Sequence, residues 1–253
     1  MSFLDQLEEL GKAIRSWIYT FIFFFLFFFI FGIGQVTIFG KEFTFIRPGM
    51  HSFSTLMFER IRDDLLTEEI ELIVTNPLEA LWAQIGIALF LAFAITLPYF
   101  LYKLITFFSS AFTKKEKKIV VKSIVPGSLL FIFGGLFSYF LLIPITFHVL
   151  YEYVLMVEAR PFFDISEFIF YVLVLVLGVG ILFMFPILMV TLTKFGLVSA
   201  RGWKENWRYA FIGFLIFSAI LTPDGSGVTM LILSIPLTVL YLGGYIISRR
   251  IED

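Results

Sequence analysis

The charged residues of this 253-residue chain are swept out of six long stretches. The uncharged runs are residues 16–40 (25 residues), 80–102 (23), 123–151 (29), 168–193 (26), 209–223 (15) and 225–248 (24). Each is rich in Phe, Leu, Ile and Val. A bilayer core about 30 Å thick takes about 20 apolar residues per helix. Five runs reach that length. The 15-residue run reaches only about 22 Å at about 1.5 Å per residue. The pattern predicts a chain that lives in a bilayer and keeps its ionisable chemistry in loops and at the ends of spans.

Composition narrows the class further. Apolar residues make up 59% of the chain and charged residues 15%, against about 25% charged in ordinary soluble domains. A membrane β-barrel would show short alternating segments instead. The expectation is an all-α polytopic membrane protein. It has six transmembrane helices, at about 16–36, 78–103, 120–148, 166–193, 207–222 and 227–248, in a single domain over 1–253. Five of the nine prolines (Pro98, Pro126, Pro144, Pro186, Pro236) fall in the interior of the runs, with Pro223 at the last position of one, so several spans are expected to be kinked. A net charge of −1 argues against nucleic acid as a partner. With no Cys and only two His, no metal site and no cofactor are expected. The N-terminus does not read as a secretory signal: it opens on an acidic amphipathic segment and its apolar run is too long.

Orientation follows from Lys and Arg in short loops. With the N-terminus inside, 14 basic residues fall on the inner side and 5 outside. Six spans then put both termini in the cytoplasm. The first outer loop, 34–76, is long, and its acidic segment 53–73 reads as one or two surface helices.

Two constellations carry potential chemistry. In the N-terminal segment, Phe3, Leu7, Leu10, Ile14 and Trp17 form an apolar face and Asp5, Glu8, Glu9 and Lys12 a polar one. Ser2 and Asp5 resemble a capping box. This fits an interfacial helix, although carboxylates at a cytoplasmic membrane surface run against the usual preference for Lys and Arg. The second is Glu116, alone among Lys114, Lys115, Lys117 and Lys118. Thr113 and Glu116 match the pattern that caps a helix start. The cap is the reading the sequence favours; Glu116 is also placed to accept a guanidinium, which grips a carboxylate through two parallel bonds. The two roles can coexist. No ionisable residue lies in the middle of any run, which speaks against proton-driven carriers and intramembrane hydrolysis. Asp224, in a Pro-Asp-Gly turn, fits a turn residue or helix cap.

Several motifs, in order and at matching separations, resemble the TatC family, the multispanning receptor subunit of the twin-arginine protein translocase. Leu7-Glu8-Glu9-Leu10 matches the core of the family's H-L-x-E-L-R element. Asn76-Pro77-Leu78-Glu79-Ala80 and Leu97-Pro98-Tyr99 resemble the two ends of its second span. Phe107 lies nine residues before Glu116, as in its first cytoplasmic loop. Phe137-Ser138-Tyr139-Phe140, followed by Pro144, resembles F-x-Y-F-x-x-x-P. Phe183-Met184-Phe185-Pro186 falls at an F-E-x-P site, and Leu221-Thr222-Pro223-Asp224 at L-T-P-x-D. Gln6 stands where the family often has His, Gly11 where it often has Arg, and Met184 where many members carry an intramembrane Glu or Gln.

The resemblance implies a receptor, not an enzyme, in the cell membrane. It would bind twin-arginine signal peptides of folded cargo at the cytoplasmic face. Glu9 and Glu116 would take the paired arginines, with Phe107 bordering them. Asp224, Pro144, Tyr139 and Pro77 would be structural or functional positions. TatA-type single-span subunits would be recruited for export driven by the proton gradient; a TatB-type partner and further copies of the chain stay open. The alternatives are a secondary transporter or channel for a small solute, which would show a polar midplane path and often a repeat, and an assembly scaffold without its own ligand.

Overall fold

A computed structural model describes residues 3–38, 41–66, 71–108, 114–158, 162–222 and 227–252, without the side chains of 3–10, 12–13, 35–38, 41–44, 71, 105–108 and 114–116. The elements, in order, are α1 (Phe3–Ile30), β1 (Phe31–Ile38), β2 (Lys41–Pro48), α2 (Phe53–Leu65), β3 (Glu71–Ile73), α3 (Glu79–Phe108), α4 (Lys114–Phe137), a π-helical turn (Ser138–Leu142), α5 (Ile143–Met156), β4 (Phe162–Asp164), α6 (Ile165–Phe183), α7 (Phe185–Lys194), α8 (Ala200–Glu205), α9 (Trp207–Leu221) and α10 (Val228–Glu252). Two compact units result: Met1–Leu104 with Arg160–Leu173, and Ile105–Ala159 with Val174–Asp253.

In the first unit, α1 stops at Ile30 and runs directly into β1. Gly32 and Gly34 weaken the helix, and Ile33, Val36, Thr37 and Ile38 favour a strand. α1 therefore ends six residues short of residue 36, the expected end of the first span, and the uncharged run continues as a strand. β1 pairs antiparallel with β2, from Phe31↔Pro48 to Ile38↔Lys41. A side chain at Gly32 would sit 1.7 Å from the His51 carbonyl oxygen, so only glycine fits this crossing. α2 opens on Ser52, whose Oγ accepts from the Thr55 amide. Phe53 packs on Phe27 and Phe28 of α1, with ring centroids 5.6 and 6.0 Å apart. The segment expected to form surface helices thus holds one helix and then the short strand β3, with residues 67–70 outside the described ones.

β3 pairs parallel with β4, Glu71↔Phe162 to Ile73↔Asp164. That pairing sets the starts of α3 and α6 side by side. Ala83, Ala88 and Ala92 of α3 are buried. At Gly86 a side chain would meet Leu173 Cδ1 at 3.3 Å. Small residues let helices approach closely where lipid offers no hydrophobic drive between them.

The second unit shows how its prolines are absorbed. Pro144 has no amide hydrogen, and a proline ring clashes with the carbonyl four residues back. The chain answers with one wide turn: the Ile143 amide bonds Ser138 O, five residues back, and α5 begins at Ile143 with Pro144 in its first turn. The F-x-Y-F-x-x-x-P signature is thus a proline with its π-helical turn, and Tyr139 lies within that turn. At Pro186 the helix breaks instead. The Met184 amide bonds Ile181 O at 3.1 Å, three residues back, and α7 starts at Phe185.

A reciprocal notch joins α4 to the end of α6. A side chain at Gly180 would lie 2.8 Å from the Phe131 ring, and one at Gly134 2.7 Å from Phe183. Each phenylalanine occupies the gap left by the other helix's glycine. A third close approach joins α10 to α7, where a side chain at Gly244 would lie 3.2 Å from Pro186 Cα.

Among the described residues, four helical stretches are long and apolar enough to cross a membrane: Glu79–Leu104, Lys117–Met156, Ile165–Lys194 and Val228–Glu252. Ile14–Ile30 and Trp207–Leu221 are shorter apolar helices. Large apolar side chains lie open on the outside, such as Phe140 (67%), Phe170 (70%) and Ile220 (74%). A water-soluble protein does not present so much apolar surface; a multi-pass membrane protein presents it to lipid.

Candidate functional site

Glu9 lies in α1, Phe107 in the last turn of α3 and Glu116 in the first turn of α4. Glu9 belongs to the first unit, Phe107 and Glu116 to the second. The side chains of all three, and Asp224 and Thr113 altogether, lie outside the described residues, as does Ser2. What the structure does give is the framework beneath the two glutamates.

On α1, Ser16 follows Glu9 by seven residues, two helical turns, so the positions share one face. That face is bonded to α3. Ser16 Oγ and the Tyr99 hydroxyl lie 2.7 Å apart, and Trp17 Nε1 donates to Thr96 Oγ1 at 3.3 Å. The Trp17 ring packs on Phe100, with centroids 4.8 Å apart. Lys103 lies over the Tyr99 ring, 5.2 Å from its centroid. On α4 the arrangement recurs. Ser123 follows Glu116 by seven residues, and its Oγ lies 3.3 Å from Thr191 Oγ1 of α7. Each glutamate therefore stands two turns beyond a serine that ties its helix to a neighbour, which fixes the rotation of both helices about their axes.

The segment joining α7 to α9 is tied to both α7 and α10. Trp203 Nε1 donates to Thr193 Oγ1 at 2.9 Å, and the Tyr241 hydroxyl donates to the Trp203 carbonyl at 2.6 Å. Phe185 and Phe214 pack edge to face, 5.5 Å apart, and Tyr241 lies 6.2 Å from each. Ser199 caps α8 from one side, and Glu252 at the end of α10 accepts from the Ala200 amide at 2.9 Å.

At the far ends of α3 and α6, Pro77 sits in a polar knot. Asn76 Oδ1 accepts from the Leu78 amide, and Glu79 accepts from the Thr75 amide (2.9 Å) and hydroxyl (2.5 Å). Asp164 caps α6, accepting from the amide and hydroxyl of Ser166, both at 2.8 Å. The Ser166 hydroxyl bond is the main cause that holds the Asp164 carboxyl below the ordinary aspartate value; the Ser166 and Glu167 amides and Glu79 add to it. Thr75 Oγ1 reaches Asp164 as well, at 3.4 Å.

Met184, one of the three positions where the sequence departs from the family pattern, is the residue at the α6–α7 break. Its Cε lies 3.4 Å from where a side chain at Gly127 of α4 would begin. A thioether fills this gap without needing a polar partner.

The model of the TatC family of Sec-independent protein translocase proteins matches residues 5–236. The chain belongs to the TatC family. A TatC relative from Cenarchaeum symbiosum (strain A) is 34% identical over 203 residues, covering 80% of this chain and 77% of the relative. One from Aquifex aeolicus (strain VF5) is 31% identical, covering 75% and 79%. A crystal structure described as the twin arginine translocase receptor TatC superposes with a TM-score of 0.73 at 26% identity, covering 98% of this chain and all of that one. This TatC-family chain is a component of the Sec-independent translocase and not an enzyme. Sequence reading overlooked Ser16, Ser123, Asp164 and Trp203; the seven-residue spacing from a glutamate to a serine is the one signal for the first two.

Proposed function

We propose that the chain is the signal-peptide receptor of a twin-arginine translocase. It crosses the cell membrane six times as one membrane domain, with α1 and α9 completing the set and both termini in the cytoplasm. Glu9 and Glu116 accept the paired arginines of the signal peptide, and Phe107 borders the site. The bound receptor then organises TatA-type single-span subunits for export driven by the proton gradient. The observation that carries this reading is the parallel framing of the two glutamates, each two turns beyond a serine bonded to a neighbouring helix. Carboxylates held on rigid helices at a face that otherwise favours lysine suit a dication ligand. A guanidinium bonds a carboxylate through two parallel N–H groups, which lysine cannot do, and that supplies the preference for arginine.

Removing one partner of a hydrogen-bonded charge pair costs about 2–5 kcal/mol, at least about 30-fold in affinity. Glu116→Ala and Glu9→Ala are each expected to weaken crosslinking of a labelled twin-arginine peptide to the purified protein by at least that factor, and Glu116→Lys to abolish it. Insertion into the membrane should be unchanged in all three. Equal labelling of the parent and the Glu116 variants overturns the receptor reading of that residue.

A further inference from the structure

We propose that the connection between α7 and α9 binds anionic lipid headgroups and so seats the basic end of the short helix α9 in the headgroup layer. The inference rests on the reading above that α7 and α9 cross the membrane. The turn that ends α7 throws an apolar side chain outward. Gly196 has a φ of +72°. Its amide bonds the Thr193 carbonyl at 2.9 Å, and the Leu197 amide bonds the Leu192 carbonyl at 3.1 Å. In a turn of this kind the residue after the glycine often packs back on the helix it ends. Leu197 does not, being 70% exposed. Trp207 and Tyr209, at the start of α9, are 44% and 74% exposed. Trp and Tyr gather where a membrane meets water, each with an apolar ring and a polar tip.

Positive charge surrounds these side chains. Lys194 ends α7, Arg201 and Lys204 lie in α8, and Arg208 lies in the first turn of α9. The last turn of α10 adds Arg249 and Arg250. Glu252 of that turn accepts from the Ala200 amide at 2.9 Å, which brings the end of α10 to the start of α8. Among the described residues of 194–208 and 248–252, the acids are Glu205 and Glu252. Both are engaged: Glu205 pairs with Arg201 at 2.7 Å, and Glu252 holds the Ala200 amide. Lys194, Lys204 and Arg208 are exposed. The Arg208 guanidinium lies over the Trp207 ring, 5.8 Å from its centroid. A guanidinium stacked on an aromatic face keeps its fork of N–H donors for phosphate. An acidic protein segment would match the charge but would leave Leu197 uncovered. Apolar side chains joined to positive charge are what an anionic lipid surface holds, and basic groups on the cytoplasmic side recruit its headgroups.

The chain has no cysteine, so single variants carry one label each. The full-length protein is reconstituted in phosphatidylcholine vesicles that hold a small share of spin-labelled lipid, either phosphatidylglycerol or phosphatidylcholine. A fluorophore at Leu197→Cys is expected to be quenched at least about fivefold more by the phosphatidylglycerol, the preference that one basic side chain gives beside an anionic leaflet. The preference should vanish when Lys204→Gln and Arg208→Gln are combined. It should survive Lys204→Arg with Arg208→Lys, which keep the charge, and weaken in about 1 M salt. A label at Val228→Cys, at the opposite end of α10, should show none. Equal quenching of the Leu197 label by the two lipids overturns the proposal and needs no variant beyond the label itself. A preference that persists in the double Gln variant overturns it as well. So does an unquenched Leu197 label while one at Phe217→Cys in α9 is quenched, since the connection then stands clear of the headgroups. An unquenched Phe217 label shows that α9 does not span, and the proposal falls with its premise.

Discussion

At the residue scale, single groups decide how helices start and how closely they pass. Asp164 is the clearest case with a measurable consequence. Its carboxylate accepts three hydrogen bonds at the start of α6 and Thr75 approaches it as well, so its folded pKa lies below the unfolded value of about 3.9. A depressed carboxylate stabilises the fold above the unfolded pKa, and that contribution is lost as pH falls through the folded one. Asp164→Asn should therefore lower the thermal midpoint in detergent near neutral pH, with the gap to the parent closing below about pH 4. A gap that stays constant down to about pH 2 would refute the ionic part of this role. Asp164 was not legible in the sequence, because one Asp before Ile-Ser-Glu looks like any other loop acid until β3 and β4 pair. Gly134 and Gly180 are similar: both are visible as glycines in apolar runs, but only the packed helices show that each accommodates a phenylalanine of the other.

At the element scale, prolines and turns were readable in part. Pro144 and Pro186 were expected to disturb their spans. That one is absorbed by a π-helical turn and the other by a break was not legible, since both outcomes satisfy the same missing donor. The short helix α8 is held by distant residues, which no local pattern in its sequence announces. Tyr241→Phe removes the hydroxyl that donates to the Trp203 carbonyl and should cost about 1 kcal/mol. The loss should appear as faster hydrogen exchange of the α8 amides, with α4 unaffected. Unchanged exchange in α8 would show that the aromatic packing alone holds it.

At the scale of the whole molecule, α9 sets the dimension to test. Its 15 residues reach about 22 Å, shorter than the hydrocarbon core. The helix starts at Trp207, with Asn206 separating it from α8, so it is not lengthened at its basic end. Short spans are accommodated by local thinning of the bilayer or by burial of an end against other helices. A cysteine scan of residues 205–227 with a water-soluble thiol reagent should find about 15 protected positions. Protection over about 20 or more would refute local thinning.

The sequence by itself determined the membrane class, the apolar runs and the family, because exclusion of charge from a bilayer is a one-dimensional constraint written along the chain. It also named Glu9, Phe107 and Glu116 through motif order. The tertiary structure decided that the first run leaves its helix for a hairpin and that two glutamate-bearing helices are each pinned by a serine two turns on. It also decided which glycines are approached by aromatic rings. The serine contacts depend on partners far along the chain, Tyr99 for Ser16, 83 residues away, and Thr191 for Ser123, 68 residues away. Contacts at that range leave no periodic trace in the sequence, since in lipid it is the close fit of surfaces rather than apolarity that selects one helix neighbour over another.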